Sequence, residues 1–243
     1  MLILPAIDLK DGKVVRLFKG DYQKETVYAL DAVEIAAYYE KIGADFLHLV
    51  DLNGAKEGCR VNQKTIASIR EHTRLPIELG GGIRDQETMA FYLEELKIDR
   101  IILGTVALKN KTLLKEALRL YGAEKIVVGV DIKDGCVATE GWLDKSQVDY
   151  LTFLKELENM KVRYVVVTDI SKDGTLEGPN FELYEKIRQE TTLQVIVSGG
   201  ISCKEDVYRV KDNYGCIVGK AFYDGKIDLE EVIACLKKES FLV

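Results

Sequence analysis

Ile3-Leu-Pro-Ala-Ile-Asp-Leu-Lys-Asp-Gly-Lys-Val-Val15 is echoed by Ile126-Val-Val-Gly-Val-Asp-Ile-Lys-Asp-Gly-Cys-Val-Ala138. Asp8 of the first stretch falls on Asp131 of the second, 123 residues further on. Three later pairs keep the order: Asp51 with Asp169 and Gly81-Gly82-Ile83 with Gly199-Gly200-Ile201, each 118 apart, and Gly104 with Gly219, 115 apart. A repeat this long, with a slowly drifting offset, points to two fused halves of about 1–121 and 122–243 rather than to short solenoid units. Each half then supplies one acid at a strand end and two glycine-rich turns.

Outward from these anchors, short apolar runs alternate with longer amphipathic stretches. Runs such as Phe46-Leu-His-Leu-Val50 and Arg163-Tyr-Val-Val-Val-Thr168 are apolar or β-branched on both parities, as strands covered on both faces should be. The pattern predicts strands near 2–8, 45–51, 75–79, 100–104, 125–131, 163–169, 193–198 and 215–219. It predicts helices near 32–42, 62–73, 85–96, 110–120, 146–160, 180–190, 203–213 and 228–238, with Asp85 and Asn180 as N-caps. Eight strands alternating with eight helices in two halves give a single (β/α)8 TIM barrel. A doubly wound open sheet fits less well, because no GxGxxG fingerprint follows any strand. Nothing resembling a linker separates the halves, and Gly122 reads as a turn, so one domain is expected.

The length of 243 residues suits one such barrel, and 47% hydrophobic with 30% charged residues is an ordinary globular composition. A net charge of −6 argues against a surface that coats nucleic acid. An anionic ligand must therefore be held by local donors. The five cysteines form no CxxC pair, and no signal peptide or long apolar run is present. They read as reduced thiols of a cytoplasmic, non-membrane protein, expected to be a monomer. Only His48 and His72 could join cysteines at a metal, and neither has ligand spacing, so no metal is expected.

In barrels the site lies at the carboxyl ends of the strands. Asp8 ends the first strand and Asp131 the fifth, on opposite sides of the mouth, and alternation puts Leu4, Ala6 and Asp8 on one face. Two acids facing one substrate suit paired proton transfer. A single Asp-Gly turn would more readily be read as a loop cap; two at equivalent strand ends favour chemistry. Gly81 and Gly82 follow the third strand, Gly104-Thr105 the fourth, Gly199 and Gly200 the seventh, and Gly219-Lys220 the eighth. One Gly-Gly turn is commonly just a tight loop. Four placed in this order predict two phosphate pockets, hence a long small-molecule substrate phosphorylated at both ends. Arg16 and Lys19 in the first loop could clamp an anion or be surface charge. Trp142, the only tryptophan, could stack on a planar heterocycle from its polar loop. Thr168, Asp169, Asp173 and Asp51 could bind substrate or order turns. Arg84 divides evenly between substrate contact and salt bridge, and His48 reads as a satisfied core residue.

Pro5-Ala-Ile-Asp-Leu9, Gly12-Lys-Val-Val-Arg16, His48-Leu-Val-Asp-Leu52, Gly80-Gly-Gly-Ile-Arg84, Thr168-Asp-Ile-Ser-Lys-Asp-Gly-Thr175 and Val218-Gly-Lys-Ala221 together resemble the ProFAR isomerase family of histidine biosynthesis. The resemblance runs from Met1 to the last helix. It implies an aminoaldose-to-aminoketose (Amadori) rearrangement without metal or cofactor. It also implies Asp8 as general base, Asp131 as general acid, and Arg16, Trp142, Thr168 and Asp173 as substrate-positioning residues. The sister cyclase barrel resembles Cys-Leu-Asp-Val where this chain has Ala6-Ile7-Asp8-Leu9. An isomerase that also serves tryptophan synthesis is expected to carry arginine where this chain has Glu140. From another class, a phosphometabolite-binding regulator would need the glycine turns but not the two acids.

Overall fold

The computed structural model describes residues 1–139, 141–142 and 144–240. In chain order, the first half runs β1 (Leu2–Lys10), β2 (Lys13–Phe18), β3 (Asp21–Val27), α1 (Ala32–Lys41), β4 (Leu47–Asp51), α2 (Leu52–Glu57), α3 (Gln63–His72) and β5 (Ile77–Gly80). It continues with α4 (Gln86–Ala90), β6 (Arg100–Leu103), α5 (Thr105–Lys109) and α6 (Lys111–Tyr121). The second half holds β7 (Ile126–Lys133), β8 (Cys136–Thr139), β9 (Asp144–Asp149), α7 (Tyr150–Asn159), β10 (Tyr164–Asp169) and α8 (Phe181–Glu190). It ends with β11 (Gln194–Ser198), α9 (Lys204–Arg209), β12 (Gly215–Val218), α10 (Lys220–Tyr223) and α11 (Leu229–Ser240).

Strands β1, β4, β5, β6, β7, β10, β11 and β12 pair in parallel in that order, and β12 pairs back onto β1. The sheet is thus a closed eight-stranded barrel ringed by helices, the (β/α)8 fold. Strand β10 is buried at all six positions, which is why its sequence is apolar or β-branched on both parities. Most of the core lies between barrel and helices, where Tyr39, Tyr92, Tyr184 and Phe153 are the largest fully buried side chains. A smaller cluster of Leu4, Ala6, Val127, Tyr164, Val166, Ile196 and Ile217 fills the barrel itself. At its amino end, the guanidinium of buried Arg100 lies 4.0 Å from the Tyr164 ring centroid and 4.4 Å from that of Phe46. It also donates to the Tyr214 hydroxyl at 3.0 Å.

The helix caps follow sequence logic. Asp85 accepts from Thr88 N at 2.7 Å and Asn180 from Leu183 N at 3.2 Å. Two expectations change. The predicted helix at 146–160 begins only at Tyr150, because Asp144–Asp149 is a strand paired antiparallel with β8 and Asp149 caps the helix. The predicted helix at 203–213 stops at Arg209. The stretch 85–96 is helical, but its second half, Phe91–Glu95, is a π-helical turn.

Hairpins at both carboxyl-end acids are the main feature absent from the strand prediction. Asp11-Gly12 and Asp134-Gly135 all have positive φ (51°, 73°, 47° and 76°), and each dipeptide joins two strands through a two-residue loop. That is the chemistry of a type I′ turn, for which Asp-Gly is a favoured sequence. The repeated Lys-Asp-Gly signal therefore marked a reversal of the chain as well as a strand end.

Candidate active site

The two candidate catalytic acids, the four residues that the resemblance makes substrate-positioning and the eight candidate phosphate-binding residues all border one cavity of about 290 Å³ at the carboxyl end of the barrel. Its two sides differ. On one, the β1–β2 hairpin folds β2 back so that Val15 pairs with Asp8, bringing the next residue, Arg16, alongside. Arg16 Nη1 donates to Asp8 Oδ2 at 2.7 Å, and Nη2 donates to the Ala6 carbonyl at 2.9 Å. The Tyr223 ring centroid lies 5.5 Å from the guanidinium, and its hydroxyl donates to the same carbonyl at 2.8 Å. Burial opposes the charge on Arg16, yet Asp8, helped by Tyr223, Asp173 and Tyr39, outweighs it and holds the arginine pKa above its ordinary value. Asp8 thus faces the cavity with a fixed cation beside it.

On the other side, Asp131 ends β7 next to Thr168, its register partner on β10. Burial raises the Asp131 pKa, while hydrogen bonds donated by the Trp142 indole and the Thr168 hydroxyl, and the proximity of His48, pull it back. Asp173 completes a trio of acids. Burial drives its carboxyl up to about 7, with Arg16 and His48 lowering it and Asp8 and Asp131 raising it. Three carboxyls around one arginine cannot all ionise freely near neutrality. The cavity therefore holds, in Asp173, an acid that is part protonated near neutrality.

Three loops meet over these acids. The Lys19 amide donates to the Asp173 carbonyl at 3.3 Å. The Trp142 ring lies against Gly20 so closely that a Cβ there would sit 2.1 Å from Cε3. Gly174 likewise passes the first loop, where a Cβ would sit 2.9 Å from the Leu17 carbonyl oxygen. Glycine is required at Gly20 and Gly174 by this close approach as well as by positive φ.

The glycine turns flank the acids in two groups. Gly81 and Gly82 (φ 105° and 74°) and Gly199 and Gly200 (φ 90° and 91°) adopt conformations that L side chains rarely take. Gly104 and Gly219 are the N-cap positions of α5 and α10, and no side chain caps either helix. First-turn amides at Thr105 and Lys220 thus border the cavity at each end, a geometry suited to anions. Lys220 pairs with Asp224 at 2.6 Å, and Arg84 donates to the Ala55 carbonyl at 2.8 Å while bordering the same cavity.

Asp51 and Asp169 serve their own loops. Asp51, fully buried, accepts from Gly54 N (2.8 Å), Asn62 N (3.0 Å) and Asn62 Nδ2 (2.6 Å). Asp169 accepts from Ser171 N and Oγ (2.9 and 2.6 Å) and from Asn180 Nδ2 (2.7 Å). Neither borders the cavity. Asp51→Ala would leave the Gly54 and Asn62 backbone amides buried without a partner, while Asn62 Nδ2 keeps Asn53 Oδ1, so urea unfolding should show a loss of roughly 2–3 kcal/mol.

His48, read from the sequence as core, also borders the cavity. It pairs with Ala6 across β1, which puts it on the interior face together with Asp8, and its Nδ1 lies 2.7 Å from Glu78 Oε1. Strand parity was the available signal: a polar residue sharing the interior parity of Phe46 and Val50. Tyr22 enters the wall from β3, donating to the Leu52 carbonyl at 2.9 Å. Lys19 is exposed and borders a separate cleft with Lys133 and Lys186. Glu140 lies outside the described residues. Among the described residues, no group of three or more His, Cys, Asp or Glu is arranged to hold a metal ion, and no helix is long and apolar enough to cross a membrane.

Fold and site together define a (β/α)8 barrel with a carboxylate cluster between two groups of glycine-rich turns. The chain belongs to the histidine biosynthesis protein family, whose model matches residues 2–228. It is 53% identical over 243 residues, 99% of each chain, to 1-(5-phosphoribosyl)-5-((5-phosphoribosylamino)methylideneamino) imidazole-4-carboxamide isomerase of Lactococcus lactis subspecies cremoris. Relatives of the same name from Clostridium botulinum and Bacillus cereus are 48% and 47% identical, over 96% and 98% of this chain and 98% and 99% of theirs.

Proposed function

We propose that the chain is the isomerase that converts the aminoaldose ProFAR into its aminoketose in histidine biosynthesis. The observation that carries this reading is the cluster of Asp8, Asp131 and Asp173 between two anion pockets in one cavity. In an Amadori rearrangement an acid protonates the ribose ring oxygen, the ring opens to an iminium, and a base removes the C2′ proton. The enolamine then tautomerises to the ketose. Only protons move, so positioned carboxyls suffice and neither nucleophile nor redox cofactor is required. Two phosphates gripped at a distance convert remote binding energy into orientation of the reacting sugar.

Asp8 is the base in this reading, since the charge-assisted hydrogen bond from Arg16 fixes the direction of its side chain at the cavity. The family resemblance makes Asp131 the acid. The geometry offers Asp173 as the better donor, because its carboxyl is pushed up to about 7 whereas Asp131 already accepts two hydrogen bonds that favour its carboxylate. Asp131 then holds Trp142 and Thr168 in place. We assign the reaction to a single chain in the cytoplasm: the acids and both pockets belong to one cavity, and all five cysteines are free thiols. We also read the two halves as a duplication. Support comes from the matching Asp51–Asn62 and Asp169–Asn180 hydrogen bonds, each member 118 residues from its counterpart.

The test is incubation of the purified chain with ProFAR, without ammonia or a glutaminase, following the ketose spectroscopically. Conversion that stops at the ketose supports the reading. No conversion of ProFAR overturns it, as does consumption of the ketose confined to samples to which ammonia is then added, the mark of a cyclase. A Cβ at Gly104 would meet no protein atom within 4 Å. Gly104→Ala, free of clash but outside the regions favoured by L residues at φ −89° and ψ −113°, is therefore expected to fold with a small loss of stability yet raise KM for ProFAR by about tenfold, one lost amide–phosphate contact. Unchanged KM would remove this turn from the phosphate pocket.

A further inference from the structure

The two anion pockets pose a problem of direction. Each consists of a Gly-Gly turn and a short-helix N-terminus, so phosphates alone cannot tell one end of a two-ended substrate from the other. The floor beneath them can. Ala6 of β1 pairs with His48, which pairs with Glu78. At the matching register of the second half, Gly129 pairs with Val166, which pairs with Ile196. One half of the floor is thus an imidazole backed by a carboxylate, and the other half is two aliphatic side chains.

The polar half is costly to keep. Glu78 is fully buried, and its Oε2 has no hydrogen-bond partner among the described residues. A buried carboxylate held by one imidazole is weak support for a fold, and the aliphatic pair opposite shows that the position accepts apolar packing. Its geometric effect is definite. With Nδ1 on Glu78 at 2.7 Å, the His48 ring is held in one orientation, and Nε2 is the nitrogen left for the cavity it borders.

We propose that His48, positioned by Glu78, orients the two-ended substrate, so that its polar heterocyclic end lies over His48 and its other end over Val166, which Ile196 backs. The proposal rests on the isomerase reading and goes beyond it, since it names a side chain of the barrel floor that adds to the differing surroundings of Asp8 and Asp131 in telling the two ends of the site apart. Without that side chain the substrate binds in both directions, and only one presents the reacting sugar to Asp8.

The experiment transplants the other half's pair, His48→Val with Glu78→Ile, which also avoids leaving a carboxylate buried alone. Phosphorus NMR is recorded with saturating ketose product bound. Wild-type protein should show two bound phosphate resonances. The double variant should show extra lines, or two lines drawn together by exchange between directions. Its kcat and KM for ProFAR should fall together by about twofold or more, the signature of non-productive binding rather than of a lost contact. If circular dichroism shows the double variant unfolded, His48→Asn carries the same test, because its amide can still reach Glu78 but leaves nothing at the Nε2 position. Wild-type shifts with a raised KM would overturn the proposal and make His48 an ordinary contact. Failure of wild-type protein to turn over ProFAR would instead remove the isomerase reading; wild-type turnover with unchanged variant spectra removes only the orienting role.

Discussion

Asp8→Asn is expected to lower kcat for ProFAR by about 10²–10⁴-fold, the range for loss of a positioned general base. The amide keeps the size and the acceptor for Arg16 Nη1, so the fold and substrate affinity should change little. Asn cannot take the C2′ proton at neutral pH, and the fixed arginine that sharpens the wild-type carboxylate cannot substitute for it. Steady-state kinetics and circular dichroism on the same preparation check this. Near-normal turnover would rule out Asp8 as the base, whatever the remaining acids do.

The second large effect is expected at Asp173. With its carboxyl near 7, the protonated donor is present below that pH and lost above it, so kcat should fall on an alkaline limb centred near 7. Asp173→Asn should lower kcat by about 10²–10³-fold and abolish that limb, whereas Asp131→Asn should lower kcat but keep it. The opposite outcome would return the acid role to Asp131. The same substitution has a stability consequence of opposite sign. A carboxyl whose folded pKa is raised above the unfolded value favours folding fully only below about 3.9, and loses that contribution as pH rises through 7. Asp173→Asn is free of this loss. Its Tm should exceed the wild-type value at pH 8, and the advantage should shrink steadily towards pH 4. A residue that destabilises the fold while serving the reaction is a known compromise of active sites.

Much of this was legible in the residues. The eight barrel strands follow from apolar runs on both parities, and the acids follow from the echo of Asp8 in Asp131. The hairpins were less visible because Lys-Asp-Gly serves equally as a strand end and as a type I′ turn, and only pairing decides. The strand at Asp144–Asp149 was hidden because Asp-Lys-Ser-Gln-Val-Asp is polar enough to read as the first turn of the helix it precedes. His48 was hidden for a different reason. A lone histidine among apolar neighbours is indistinguishable from core until its partner is known, and Glu78 lies 30 residues away on the next strand. The raised Asp173 pKa could not be read at all, since it arises from burial, reinforced by Asp8 and Asp131, which approach it only in the folded barrel.

Arg100, wedged among Phe46, Tyr164 and Tyr214, closes the amino end of the barrel as a cork closes a flask. With the floor sealed, ketose must depart through the same mouth that admits ProFAR, and the two cannot pass each other. Spent product therefore stands in the doorway of the next molecule, and its inhibition of turnover should be strictly competitive.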